Sequence, residues 1–329
     1  MSRQDLIRRG GVLLALLATL CLLLTSRSES QSEALRGDRM PYDAYERMPK
    51  TDLAVPHGVI HVAFADGTLA LPKEKIFAWL QASAKAVSTY YGRFPVASLK
   101  LLIVPVDGPG VRGGTTWAYR GAAIRIMLGR DATEDDLKRD WIMVHEMVHL
   151  ALPDMDERYG WLSEGLAVYI EPVARVQAGD LTAEEIWSAM VRDMPKGLPR
   201  ADDRGLDNTS TWGRTYWGGA MFCLFADVEI RKQTGNRLGL QDAMRGVLDA
   251  GGNHESDWSI GRILAVADKA AGVSVLTRMH DEWGSTAVAP DLDALWRELG
   301  VRAGGGGVSF DDGAPLAAIR AAITRRHQD

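Results

Sequence analysis

The run His145-Glu146-Met147-Val148-His149 constrains this chain more than any other stretch. It lies in a segment with helical periodicity, and on an α-helix positions i and i+4 stand one above the other on one face. Two imidazoles placed in this way can reach the same point in space, while the glutamate between them is directed to the side. A metal ion at that point needs a third ligand from elsewhere in the chain. The pattern therefore asks the fold to return a second segment to this helix.

The surroundings support a helix. Thr133-Glu134-Asp135-Asp136 reads as a helix start with Thr133 as N-cap. Leu137, Trp141, Val144, Val148 and Leu152 then recur at helical spacing, and Pro153 closes the run. The expectation is one apolar helix of about five turns. Three patterns compete for the third ligand. A histidine six residues after His149 is absent, because Asp154 and Met155 follow Leu150-Ala151-Leu152-Pro153. Asp154, Asp156 and Glu157 lie in a turn too tight to fold back onto His145. Glu164, in Trp161-Leu162-Ser163-Glu164-Gly165-Leu166-Ala167-Val168-Tyr169, sits on a potential second helix antiparallel to the first. The short connection through Gly160 would bring it level with the histidines.

H-E-M-V-H followed by W-L-S-E-G-L-A-V-Y-I-E resembles the gluzincin zinc metallopeptidases of the peptidase MA-like superfamily, which includes the membrane-alanyl and glycyl aminopeptidase families. The resemblance continues at Thr215-Tyr216-Trp217-Gly218-Gly219-Ala220-Met221 and covers roughly residues 95–235. It implies a zincin-like fold with one Zn²⁺ per chain on His145, His149 and Glu164. It also implies Glu146 as general base and Tyr216 as a donor to the transition state. One departure is visible. Where those aminopeptidases carry a glutamate for the substrate's free amine, this chain has Gly113-Gly114-Thr115-Thr116-Trp117, with no acid. Gly113 and Gly114 could let a substrate strand approach closely, and a plain turn explains them equally well. Glu171, seven residues after Glu164 on the same helical side, is the candidate carboxylate behind a ligating histidine. Pro172 is expected to end that helix.

The chemistry these parts imply is peptide-bond hydrolysis by a metal-activated water, with Glu146 taking the proton. A different class of function stays open: a catalytically weak or inactive relative that binds envelope peptides or proteins. The base, the ligands and the tyrosine are all present, which favours the enzyme. The partner expected in either case is a peptide or protein.

At the start of the chain, Arg3, Arg8 and Arg9 precede an apolar run over residues 12–24. Its length suits a signal peptide, or an N-terminal anchor if uncleaved, so residues 1–28 read as a leader. The body is then expected outside the cytoplasmic membrane, touching it only through an uncleaved N-terminus. Of the two cysteines, Cys21 falls in the leader, which leaves Cys223 without an intramolecular partner. Residues 29–56 read as a polar linker. With 38 basic and 43 acidic side chains and no basic cluster, the chain is not expected to bind nucleic acid.

The remainder suggests an α+β arrangement: a small mixed sheet carrying the H-E-x-x-H helix, followed by a mainly helical half. Strands are expected at 59–64, 99–106 and 122–128, and a helix at 73–91, within a zinc-binding region 57–180. A helical region 181–303 follows, with helices at 183–194, 216–233, 239–248, 260–271, 275–283 and 292–299. The four glycines from Gly304 to Gly307 read as a flexible joint before a last helix near 315–325, in a segment 304–329.

Overall fold

The computed structural model describes Leu35, Gly37 and residues 39–326. The expected leader lies outside these residues. Among the described residues no helix is long and apolar enough to cross a membrane.

The first half is built on a five-stranded mixed sheet. Its strands are β1 (Lys50–Val55), β2 (Gly58–Phe64), β3 (Ser98–Val106), β4 (Val111–Trp117) and β5 (Ala123–Gly129), in the spatial order β1-β2-β3-β5-β4. The central pairs β2–β3 and β3–β5 are parallel, and the outer pairs β1–β2 and β5–β4 are antiparallel. Strand β3 is apolar on both faces, as a central strand with parallel neighbours has to be. Leu99, Leu101 and Ile103 enter the larger core, while Leu102 and Val104 enter a smaller one on the other face. Helix α1 (Tyr42–Arg47) closes that smaller core with Tyr42 and Tyr45. The Tyr45 hydroxyl donates to the His61 carbonyl at 2.5 Å and the Tyr42 hydroxyl to the Gly121 carbonyl at 2.9 Å. The expected linker over 29–56 is therefore corrected: from Tyr42 to Val55 the chain is a packed helix and an edge strand.

The larger core holds α2 (Lys73–Tyr91), α3 (Glu134–Arg139), α4 (Ile142–His149) and α5 (Gly160–Ala178). Two expectations are corrected here. The single long helix from Thr133 is two helices, because Asp140 has extended backbone and its carboxylate accepts from the N–H groups of Ile142 and Met143 at 3.0 Å each. That cap starts α4 afresh, and Trp141 is left exposed. Pro172 does not end α5, which runs on to a left-handed stop at Gly179. A helical proline forfeits one hydrogen bond and crowds the preceding turn, and the burial of Val173, Ala174 and Val176 holds the helix together across it.

The second half is helical, as expected: α6 (Ala183–Asp193), α7 (Gly219–Gln233), α8 (Leu240–Asp249), α9 (Ile260–Ala271), α10 (Val275–Trp283), α11 (Leu292–Leu299) and α12 (Ala317–Ile323). A π-helical turn, Gly213–Gly218, leads into α7. The glycine-rich joint is instead a hairpin of β6 (Val301–Gly304) and β7 (Gly307–Phe310). Gly305 and Gly306, at φ 58° and 86°, supply the two left-handed positions that such a two-residue turn requires.

A candidate metal centre between two helices

Helices α4 and α5 bring His145, His149 and Glu164 together, with all ligand atoms within 4.8 Å of one another. The Nε2 atoms of the two histidines are 3.2 Å apart, and Glu164 Oε2 lies 3.2 Å from His145 Nε2 and 3.7 Å from His149 Nε2. A four-coordinate ion at about 2.0–2.1 Å from each donor requires edges of roughly 3.3 Å between donors. The three edges observed bracket that value. Burial pushes the His149 imidazole down to about 3, so it is neutral with a lone pair to offer. Burial alone would raise the Glu164 carboxyl, but its contacts with His145 and His149 hold it below the usual range. Two imidazoles and a carboxylate, pre-assembled at this spacing, fit zinc by chemistry and by geometry.

Several residues outside the short motif hold this arrangement. Ser163 Oγ sits 3.0 Å from His149 Nδ1 and fixes the ring from behind, leaving Nε2 for the cluster. Gly165, next to Glu164, crosses α7 at Gly219 so closely that a Cβ there would meet backbone at 2.3 Å. This contact locks the carboxylate-bearing helix to the π-helical turn. Trp161 Nε1 donates to Asp207 Oδ1 at 2.9 Å, and His280 Nε2 lies 3.0 Å from Asp207 Oδ2 with its ring stacked on Trp161. The start of α5 is thereby tied to the helical half.

Glu146, beside the donors, is held from β4. The Thr116 hydroxyl donates to Glu146 Oε2 at 2.6 Å and also lies 3.0 Å from the Glu146 carbonyl. Burial raises the Glu146 carboxyl and the Thr116 hydrogen bond partly offsets that rise. Gly113 and Gly114 lie on the edge strand β4 and not in a turn. The empty Cβ position of Gly114 points at α4: a methyl there would be 2.6 Å from Glu146 Cγ and 2.9 Å from Ile142 Cγ2. The glycine thus admits the base's own side chain.

Tyr216 lies in the π-helical turn, half-buried and facing Glu164 and Glu146. Burial raises its hydroxyl to about 12, and the two carboxylates add to the effect. It is a protonated donor at neutral pH. The turn is anchored by Arg214, which pairs with Asp203 at 2.7 Å, both deeply buried, and donates to the Gly197 carbonyl at 2.6 Å. Such local π geometry often accompanies a functional side chain.

Glu171 is buried mid-helix and accepts from Arg175 Nη1 at 2.8 Å, one turn further along α5; among the described residues no hydrogen bond joins it to a histidine. His145 Nδ1 is buried with no hydrogen-bond partner among the described residues. A cavity of about 390 Å³ between α2, α3 and α5 is lined by Trp79, Lys75 and Arg175 and contains none of the three donors. Thr116, Ser163, Asp140 and Asp207 were not singled out from the sequence. Only Ser163, one residue before Glu164, lay where the motif itself pointed.

No family model matches this chain, and no curated protein matches it. Solved structures do. An aminopeptidase N family protein from Idiomarina loihiensis superposes with a TM-score of 0.59 at 14% identity, over 78% of this chain and 49% of its own. A variant of a two-domain M1 zinc metallopeptidase, bound to L-arginine, superposes with a TM-score of 0.50 at 14% identity, over 74% of this chain and 53% of its own. The chain spans about half the length of these structures. At such identity the likeness establishes a shared fold: a mixed sheet with a helical second half.

Proposed function

We propose that this chain is a zinc-dependent hydrolase of peptide bonds, of gluzincin type. The observation that carries the reading is the convergence of His145, His149 and Glu164 at tetrahedral spacing, with Glu146 and Tyr216 beside them. The M1 metallopeptidase neighbours support it through the fold they share. When bound, zinc would supply positive charge that brings a water's pKa towards neutrality and polarises a carbonyl.

The chain's own residues supply the rest. Glu146 accepts the proton of the attacking water and can return it to the departing nitrogen. The Thr116 hydroxyl occupies Oε2, which leaves Oε1 for the water. The Tyr216 hydroxyl donates to the carbonyl oxygen as negative charge develops on it. Strand β4 is the outer strand of its sheet, so its outward backbone groups can pair with an extended peptide.

The test is hydrolysis of unstructured peptides by the purified chain. Activity should disappear with a zinc chelator, return with added zinc and be lost in Glu146→Gln. Hydrolysis that survives both treatments would overturn the reading. The leader-like start of the sequence extends the proposal to work outside the cytoplasmic membrane, and a C-terminal reporter active only in the cytoplasm would contradict that location.

A further inference from the structure

Among the described residues three large apolar side chains are exposed: Tyr119 at 58%, Trp141 at 51% and Trp212 at 61%. Tyr119 is accounted for by packing. Its ring meets Tyr42 edge-on and its hydroxyl donates to the Met40 carbonyl at 3.1 Å. The two tryptophans differ. Among the described residues neither indole N–H has a hydrogen-bond partner, and each ring's aromatic neighbour is a residue of the proposed site. Trp141 packs edge-on against His145 at 5.3 Å between centroids. Trp212 stacks on Tyr216 at 6.0 Å and 26°.

Their positions follow one rule. Each tryptophan lies four residues before the site residue it touches, one turn back on the same helical face. They come from two elements far apart in sequence, the start of α4 and the π-helical turn. Those elements converge at Glu164, which His145 contacts at 3.2 Å and which Tyr216 faces. The break at Asp140 is what turns Trp141 outwards, since an unbroken helix would have kept it on the apolar stripe. A large exposed aromatic whose N–H is free to bond a ligand, set beside a site, is the side chain most often found carrying recognition energy.

Resting on the peptidase reading, we infer that Trp141 and Trp212 are aromatic walls on two flanks of the cleft, and that they select polypeptide segments with a bulky apolar side chain beside the bond to be cut. The backbone of such a segment lies along the free edge of β4, and its apolar side chains cover the indoles. The tryptophans touch the substrate's side chains, so their effect is read as the preference between two peptides and not as the rate on either one.

The experiment uses two fluorescent decapeptides, both N-acetylated and C-amidated, built from Gly, Ser and Ala. One carries Phe at its two central positions and the other carries Ala there. Binding is read by anisotropy with the Glu146→Gln chain, and cleavage is read with the unsubstituted chain. The Phe peptide should be bound and cleaved better than the Ala peptide by about tenfold or more. Trp141→Ala and Trp212→Ala should each remove most of that preference, and Trp→Phe at either position should keep part of it. Equal handling of the two peptides, or a preference unchanged in both alanine variants, overturns the inference while leaving the hydrolase reading intact. Tryptophan-dependent binding without any cleavage upholds the walls and sinks the hydrolase reading. Neither binding nor cleavage of the Phe peptide overturns both.

Discussion

The two sides of the cleft are built differently. On one side, α4 and α5 present donors that are largely buried and cross-bonded: His145, His149, Glu164 and, behind them, Ser163. On the other, β4 and the π-helical turn present an open sheet edge, a half-buried tyrosine and the exposed indole of Trp212. The first side spends its contacts on fixing atoms to within bonding distance of one another. The second leaves contacts unmade. Chemistry needs a rigid, pre-assembled constellation, whereas recognition of an extended chain needs surface that is still free to pair and cover.

That contrast is sharpened most by substitutions that touch the base or the donor but not the ligands. Glu146→Gln keeps size and hydrogen bonding but loses the proton acceptor. Zinc should remain bound while kcat falls by about 10²-fold or more, roughly 3 kcal/mol. Tyr216→Phe should also keep zinc and lose about 10- to 10³-fold. Steady-state kinetics with parallel metal analysis checks both, and normal turnover in Glu146→Gln would assign the activity elsewhere.

The next effect breaks the seam between the two sides. Gly114→Ala places a methyl against Glu146 Cγ, and overpacking of this kind costs about 1–3 kcal/mol. A lowered denaturant midpoint together with reduced kcat is expected. An unperturbed enzyme would show that β4 and α4 are less tightly fitted than described here.

Asp140→Ala removes the cap that starts α4. The expected loss is about 1 kcal/mol of stability, seen as a lower Tm. The smallest effect expected is from Thr116→Val. The Thr116 hydroxyl favours the charged form of Glu146, so its removal raises that pKa further. The acid limb of the pH–rate profile should move to higher pH, because the base must be deprotonated to act. A shift to lower pH would contradict the hydrogen bond's direction.

The same contrast governs what could be read from the sequence. The three donors come from two segments with short spacing, so helical geometry set two of them and offered Glu164 as a candidate, which resemblance to a known motif then selected. Buried β3 and the helices of the second half carried their own periodicity. On the opposite side, resemblance pointed to Tyr216 and to the glycines of β4, and the rest carried no signal. In strand β4, Gly114 makes room for α4 and Gly113 for the Met127 side chain of β5, so its sequence lacks the pattern of a strand. The break at Asp140 was hidden by Leu137, Trp141 and Val144, which keep helical spacing across it. The segment from Tyr42 to Val55 looked like linker by composition, yet a few side chains such as Tyr42, Tyr45 and Leu53 carry its packing. Pro172 has the signature of a helix stop, while burial of the following turn outweighs the lost hydrogen bond.

Metal content is the most direct test of the central claim that α4 and α5 together form one three-ligand zinc site. Elemental analysis of the purified chain should find about one zinc per chain, retained in Glu146→Gln and lost in His149→Ala and in Glu164→Ala. Full zinc occupancy in folded His149→Ala or Glu164→Ala would contradict the account.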